Sequence, residues 1–290
     1  MKFRMVAMRC LAGLGVLYFA HSQALARVQP TTGFDLYSHE EELQVGKQAA
    51  EETGRQMPLL PDSSPVTKYV QQLGKKLAAH APGEAWPYNF HVVNQKEINA
   101  FALPAGTIYV NLGTIQAADN EAELAGVLAH EIAHVVQRHG TRAASKEMAA
   151  QVPLALLAGI MGKSTVAQAA AMGISFGVGS YFLKNSRQSE SEADLLGADI
   201  MYDAGYDPHA LAMFFTKLQD EAGHSNELDQ FFSDHPDPGN RVEAVSREAD
   251  TLPSKVYSLN STQFLSIKQL AAEMKPMTAE QVETWRKKRL

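Results

Sequence analysis

The chain has 290 residues, 45% hydrophobic and 20% charged, with a formal net charge of −6. That composition suits one large domain or two small ones with a full core, and excludes repeat arrays, collagen-like chains and low-complexity tracts. The acidic balance argues against a nucleic-acid partner.

The first residues stand apart. Lys2, Arg4 and Arg9 precede an apolar run from Cys10 to Ala20, and "ALA" follows at 24–26. Basic, apolar and small-x-small segments in that order read as a secretory signal peptide, residues 1–26. The run is too short for a good membrane span. The only cysteine, Cys10, lies ahead of the run, so lipidation at a cleavage-site cysteine is not expected. Cleavage removes that cysteine and three basic residues, leaving 23 basic against 32 acidic groups and a net charge of −9. The mature chain then has no disulfide to rely on.

Beyond it, residues 27–250 read as one folded domain and 251–290 as a C-terminal linker and helix. Ser38 to Gln56 is an amphipathic helix with Ser38 as N-cap and acids in its first turn. "PDSSP" at 61–65 breaks the chain. A second helix covers Val66 to Ala81, with Val66, Tyr69, Val70, Leu73 and Leu77 on one face. Tyr88 to Asn94 reads as a strand. A turn around Pro104 to Gly106 leads into a second strand, Thr107 to Asn111. Two strands with helices on either side give an α+β, predominantly helical fold with a small sheet.

Next comes "AGVLAHEIAHVVQRHG", Ala125 to Gly140, three histidines within ten residues. Asn120 is a good N-cap, Glu123 makes a capping-box-like pair with it, and Gly140 is the expected C-terminal stop. The apolar, Gly/Ala-rich segment 151–183 reads as a buried helical hairpin, with a membrane-touching or substrate-facing loop as the alternative. Helices follow at Ser189 to about Gly205 and at Asp207 to Ala222. Phe231 to Val245 is a Pro/Gly-rich loop entering a helix. The remaining residues form a polar linker and a terminal helix from about Thr278.

His130 and His134 are spaced i, i+4, which puts both imidazoles on one helix face. Two such nitrogens can share one zinc ion, and Glu131, about 100° round the helix, can reach its water without ligating. "ESEAD", Glu190 to Asp194, offers a third ligand in Glu190 and, in Asp194, a carboxylate to hold a ligating imidazole by its far nitrogen. Glu192, about 200° away on the same helix, is assigned to solvent. His139 lies off the ligand face. His39, His80, His91, His209 and His224 are read as structural or surface groups, and His21 leaves with the signal peptide.

These motifs together resemble the M48 family of zinc metallopeptidases, in particular its bacterial periplasmic, quality-control members. The resemblance rests on "HEIAHVVQRH" (His130 to His139), "SRQSESEAD" (Ser186 to Asp194), "NAFALPAGTIYVNLG" (Asn99 to Gly113) and "DHPDPGNR" (Asp234 to Arg241), and covers about Leu36 to Val245. It implies a zincin (gluzincin) fold: an active-site helix, a small sheet packed on it whose edge faces the cleft, and a second helix bearing the glutamate. The long tetratricopeptide extension of some relatives is not expected, since about 40 residues follow the last motif. One Zn2+ per chain is implied, held by His130, His134 and Glu190, with Glu131 as general base. By the same resemblance Asp194 orients His130, while His235 and Arg241 serve the developing oxyanion; alternatively His235 blocks the open zinc position until substrate displaces it.

The strand "TIYVN" is expected at the cleft edge, where an extended substrate adds as a further strand. The expected function is a secreted, periplasmic zinc endopeptidase acting on unfolded or misassembled envelope proteins. A chaperone-like assembly factor for envelope proteins, with proteolysis secondary, is the alternative; the presence of Glu131 speaks against it. Peripheral association with the outer membrane is the alternative to free residence in the periplasm.

Overall fold

The computed structural model describes residues 27–30, 33–151, 164–167, 185–221, 226–237 and 239–288. The expected signal peptide and nearly all of the Gly/Ala-rich segment lie outside them. Among the described residues no helix is long and apolar enough to cross a membrane.

The protein is mostly helical around a three-stranded sheet. Helix α1, His39–Gln56, starts at a full capping box between Ser38 and Glu41. Helix α2, Pro65–Ala78, buries all five of its expected apolar residues. The strands are β1 (Asn89–Val93), β2 (Ala100–Ala102) and β3 (Thr107–Asn111), in the order β1-β3-β2. Strand β1 runs parallel to β3, and β2 antiparallel to it. "TIYVN" is therefore the central strand, and its expected place at the cleft edge is corrected. Central strands read as nearly continuous apolar runs, which Ile108, Tyr109 and Val110 supply. The edge is β2. Asn99 and Leu103 bond to β3 at 2.9 and 2.8 Å, so the backbone groups of Ala100 and Ala102 point outward.

After α3 (Leu112–Ala117) comes α4, Glu121–Val136, every residue of which is buried. A helix apolar nearly all round belongs at the centre, and α4 packs on α2, on β2 and on two later helices, α6 (Arg187–Asp203) and α7 (His209–Glu221). Its Leu124, Leu128 and Ile132 join Val70, Leu73 and Leu77 of α2 and Val92 and Val110 of the sheet in one core. A second core, with Tyr37, Val45, Phe101 and Tyr109, covers the other side. Helix α6 approaches α4 through Gly197, where an added Cβ would stand 3.2 Å from the His130 backbone.

Helix α4 does not run on to Gly140. It stops at Val136, Arg138 takes a left-handed conformation (φ 54°), and α5 spans His139–Gln151 with Gly140 inside it. A non-glycine residue there is strained. The side chain holds it: Arg138 Nε donates to buried Glu42 at 2.6 Å and Nη2 to the Tyr37 carbonyl at 2.7 Å.

Downstream lie α8 (Asp229–Asp234), α9 (Arg241–Thr251), α10 (Thr262–Glu273) and α11 (Ala279–Lys287). Helix α10 falls where the sequence suggested polar linker. It packs on α2 and α3 and buries Phe264, Ile267 and Ala271.

Candidate metal centre

His130 and His134 stand one turn apart on α4, their Nε2 atoms 3.0 Å apart. Glu190 comes from the first turn of α6, a helix capped by Ser186. Its Oε2 lies 3.3 Å from His130 Nε2 and its Oε1 3.3 Å from His134 Nε2. His235, at the end of α8, brings Nδ1 to 3.2 Å from Glu190 and 3.4 Å from His130 Nε2. These four donor atoms lie within 4.8 Å of one another, and all four residues are buried. Three ring nitrogens and a carboxylate turn onto one point; nitrogen and oxygen donors in fourfold number, once the rings give up their protons there, fit a divalent ion of zinc's type.

The groups behind them suit that duty. Asp194 Oδ1 is 3.0 Å from His130 Nδ1; a proton held on Nδ1 would turn a bare Nε2 toward the centre. Arg241 donates to Asp194 at 2.7 and 3.2 Å and to Glu190 at 3.4 Å. Its guanidinium carbon lies 3.6 Å from the centre of the Phe215 ring. Arg241 is 1% exposed, pairs with two carboxylates and does not line the cleft that Glu131 opens on. Its geometry is that of a buried counter-charge, which the sequence reading did not favour.

Glu131 lines a narrow cleft with His134, His235, Phe101, Ala102 and Leu103. Its nearest charged neighbour is His235 Nε2, at 3.6 Å. Burial raises the Glu131 carboxyl above its usual range, against the opposing pull of His235 and His130. Burial likewise holds His134 well below the ordinary imidazole range, although Glu190 opposes it; a neutral imidazole is what ligation needs. For His235 burial is outweighed by Glu190 and Glu131, which push it up to about 10. His235 Nε2 also donates to the outward carbonyl of Ala100 at 3.0 Å, tying the cluster to the sheet edge.

Two neighbours were missed. His139 is buried, its Nδ1 2.7 Å from His134 Nδ1. Glu192, expected in solvent, pairs with His139 at 3.1 Å and Arg142 at 3.2 Å with 16% of its side chain exposed. The helical wheel pointed it correctly away from Glu190, but α5 returns over that side.

The sequence profile of peptidase family M48 matches residues 65–249. The Beta-barrel assembly-enhancing protease of Escherichia coli is 30% identical over 232 residues, 78% of this chain and 47% of that protein. The Mitochondrial metalloendopeptidase OMA1 of Schizosaccharomyces pombe is 28% identical over 246 residues, 84% of this chain and 71% of its own. Metalloprotease LoiP of Escherichia coli is 31% identical over 203 residues, 68% and 76% respectively. The chain spans about half the length of the beta-barrel assembly-enhancing proteases it matches.

Proposed function

Because this chain belongs to peptidase family M48, we propose that it is a zinc endopeptidase of zincin (gluzincin) fold, with its centre at His130, His134 and Glu190. The observation that carries this reading is the convergence of those donors beside a buried glutamate, Glu131, that opens on a cleft. Zinc bound there supplies a Lewis acid that acidifies water and polarises a scissile carbonyl. Glu131 takes the proton of the attacking water on a carboxylate oxygen and hands it to the leaving amine nitrogen. Asp194 fixes the His130 ring through Nδ1, and Arg241 keeps Asp194 and Glu190 in place as their counter-charge.

An extended polypeptide adds to the outer edge of β2, where the Ala100 and Ala102 backbone groups point outward and the Ala100 carbonyl is released as His235 moves. Pairing through the main chain selects extended conformation more than side chains. That supports unfolded or misassembled envelope proteins as substrates, in keeping with the name of the beta-barrel assembly-enhancing relatives. Periplasmic residence follows from the basic, apolar and small-residue order of residues 1–26.

The position of His235 favours its role as a fourth ligand that leaves when substrate enters, since Nδ1 faces the donor cluster. X-ray absorption of the zinc-loaded protein decides this: three ring nitrogens support a blocked resting state, two support an oxyanion-binding His235.

The main test is metal analysis with cleavage of unfolded casein. The expected result is one zinc per chain and cleavage that a chelator stops. Glu131→Gln should keep zinc and lose roughly 10²–10⁴-fold in rate. A Glu131→Gln protein that cleaves like the parent removes the general base and the reading with it.

A further inference from the structure

The left-handed turn at Arg138 brings His139 back against His134, with the two Nδ1 atoms 2.7 Å apart. On its far side His139 Nε2 lies 3.1 Å from Glu192 Oε2. Glu192 is itself held by Arg142 Nη1 at 3.2 Å and by Gln188 Nε2 at 2.8 Å. Arg142 Nη1 also reaches the Gln137 carbonyl at 3.2 Å.

Proton counting gives this chain one direction. A neutral imidazole has one N–H. If His134 offers Nε2 to a cation, its proton must sit on Nδ1. Two Nδ1 atoms at 2.7 Å hydrogen-bond only if one of them is bare, so His139 accepts. The single proton of His139 is then on Nε2, where the Glu192 carboxylate accepts it. Without a cation the His134–His139 bond can run either way; with one, a single arrangement remains.

We infer that His139 is the positioning residue of His134, with Glu192 and Arg142 behind it. This second support mirrors Asp194 and Arg241 behind His130: each ligating ring of α4 is steadied through Nδ1 by a system that ends in a carboxylate held by an arginine. The inference rests on the metallopeptidase reading and deepens it.

The test uses the full chain and zinc itself. Zinc affinity is measured by chelator competition for the parent, His139→Leu and His139→Asn. Loss of the acceptor in His139→Leu should weaken zinc binding about 10- to 100-fold. Asn can place an amide oxygen near the lost Nδ1, so His139→Asn should recover most of that affinity. Ring-nitrogen NMR of the zinc-loaded parent should show His139 neutral with its proton on Nε2, a signature that packing alone does not require. Parental affinity in His139→Leu, equal losses in both variants, or His139 protonated on Nδ1 would each overturn the inference. Should His139→Leu fail to fold, the spectrum of the parent still decides. A parent that binds no zinc sinks the metallopeptidase reading itself, whereas a zinc-binding parent with an indifferent His139 sinks only this inference.

Discussion

Helix α4 carries two faces built on different physics. Toward α2 and the sheet it presents Leu124, Leu128 and Ile132 to other apolar side chains. Toward α6, α8 and α9 it presents His130, Glu131 and His134 to Glu190, Asp194, His235 and Arg241, all buried. Apolar contact is non-directional and roughly proportional to area, so its loss is graded. Buried charges hold only as a set, because removing one leaves its partner unpaired in a dry interior. One face places the helix, and the other can be exacting because the first does not move.

The sharpest way to break that contrast is Arg241→Leu. It strands Asp194 and Glu190 and should lower stability by about 3–5 kcal/mol, read by urea denaturation. Arg241→Leu combined with Asp194→Leu should lose less than the single change, whereas apolar-face losses simply add. If the double variant is the less stable, the charged face is not a set. Leu128→Ala should lower stability by about 2–5 kcal/mol while zinc per chain, measured by atomic absorption, stays the same. A smaller effect is expected where the faces meet: a Cβ at Gly197 crowds the His130 backbone at 3.2 Å. Gly197→Ala should change stability by about 1–3 kcal/mol and weaken zinc binding in chelator competition by more than Leu128→Ala does.

The smallest effect concerns Glu42, whose carboxyl burial raises above its ordinary value although Arg138 opposes the change. A raised folded pKa gives stability that is complete below the unfolded value and lost as pH rises through the folded one. Parent and Glu42→Gln should therefore differ in the parent's favour near pH 4 and lose that advantage toward pH 7. Each tenfold difference in proton affinity between folded and unfolded chain is worth about 1.4 kcal/mol. Denaturation midpoints at the two pH values check the sign; an advantage that grows with pH would mean that the pairing with Arg138 outweighs burial.

Much of this was legible in the sequence where periodicity governs. The apolar spacing of Val66 to Leu77 marked α2, and the i, i+4 spacings of His130 with His134 and of Glu190 with Asp194 put each pair on one helix face. Legibility failed where a single backbone torsion or tertiary packing decides. Nothing in "QRHG" marks Arg138 rather than Gly140 as the left-handed residue, so His139 and Glu192 looked unrelated. Strand β2 is only Ala-Phe-Ala, too short to show alternation. Helix α10 did carry a signal in Phe264, Ile267 and Ala271 behind a Ser261 cap, but its polar flanks read as linker. Arg241 was assigned to the oxyanion through the family motif; its pairing with Asp194 and Glu190 depends on how α9 packs on α6, which no local pattern shows.

In an unbroken α-helix the side chain one turn beyond His134 would be that of Arg138, not His139. The interval of five is thus kept in phase by the twist of one residue, anchored by its own side chain to Glu42 and Tyr37. Deleting or inserting a residue between 134 and 139 would rotate everything after it by about 100° and carry the imidazole out of reach. A glycine at 138 would preserve the phase while cutting the anchor.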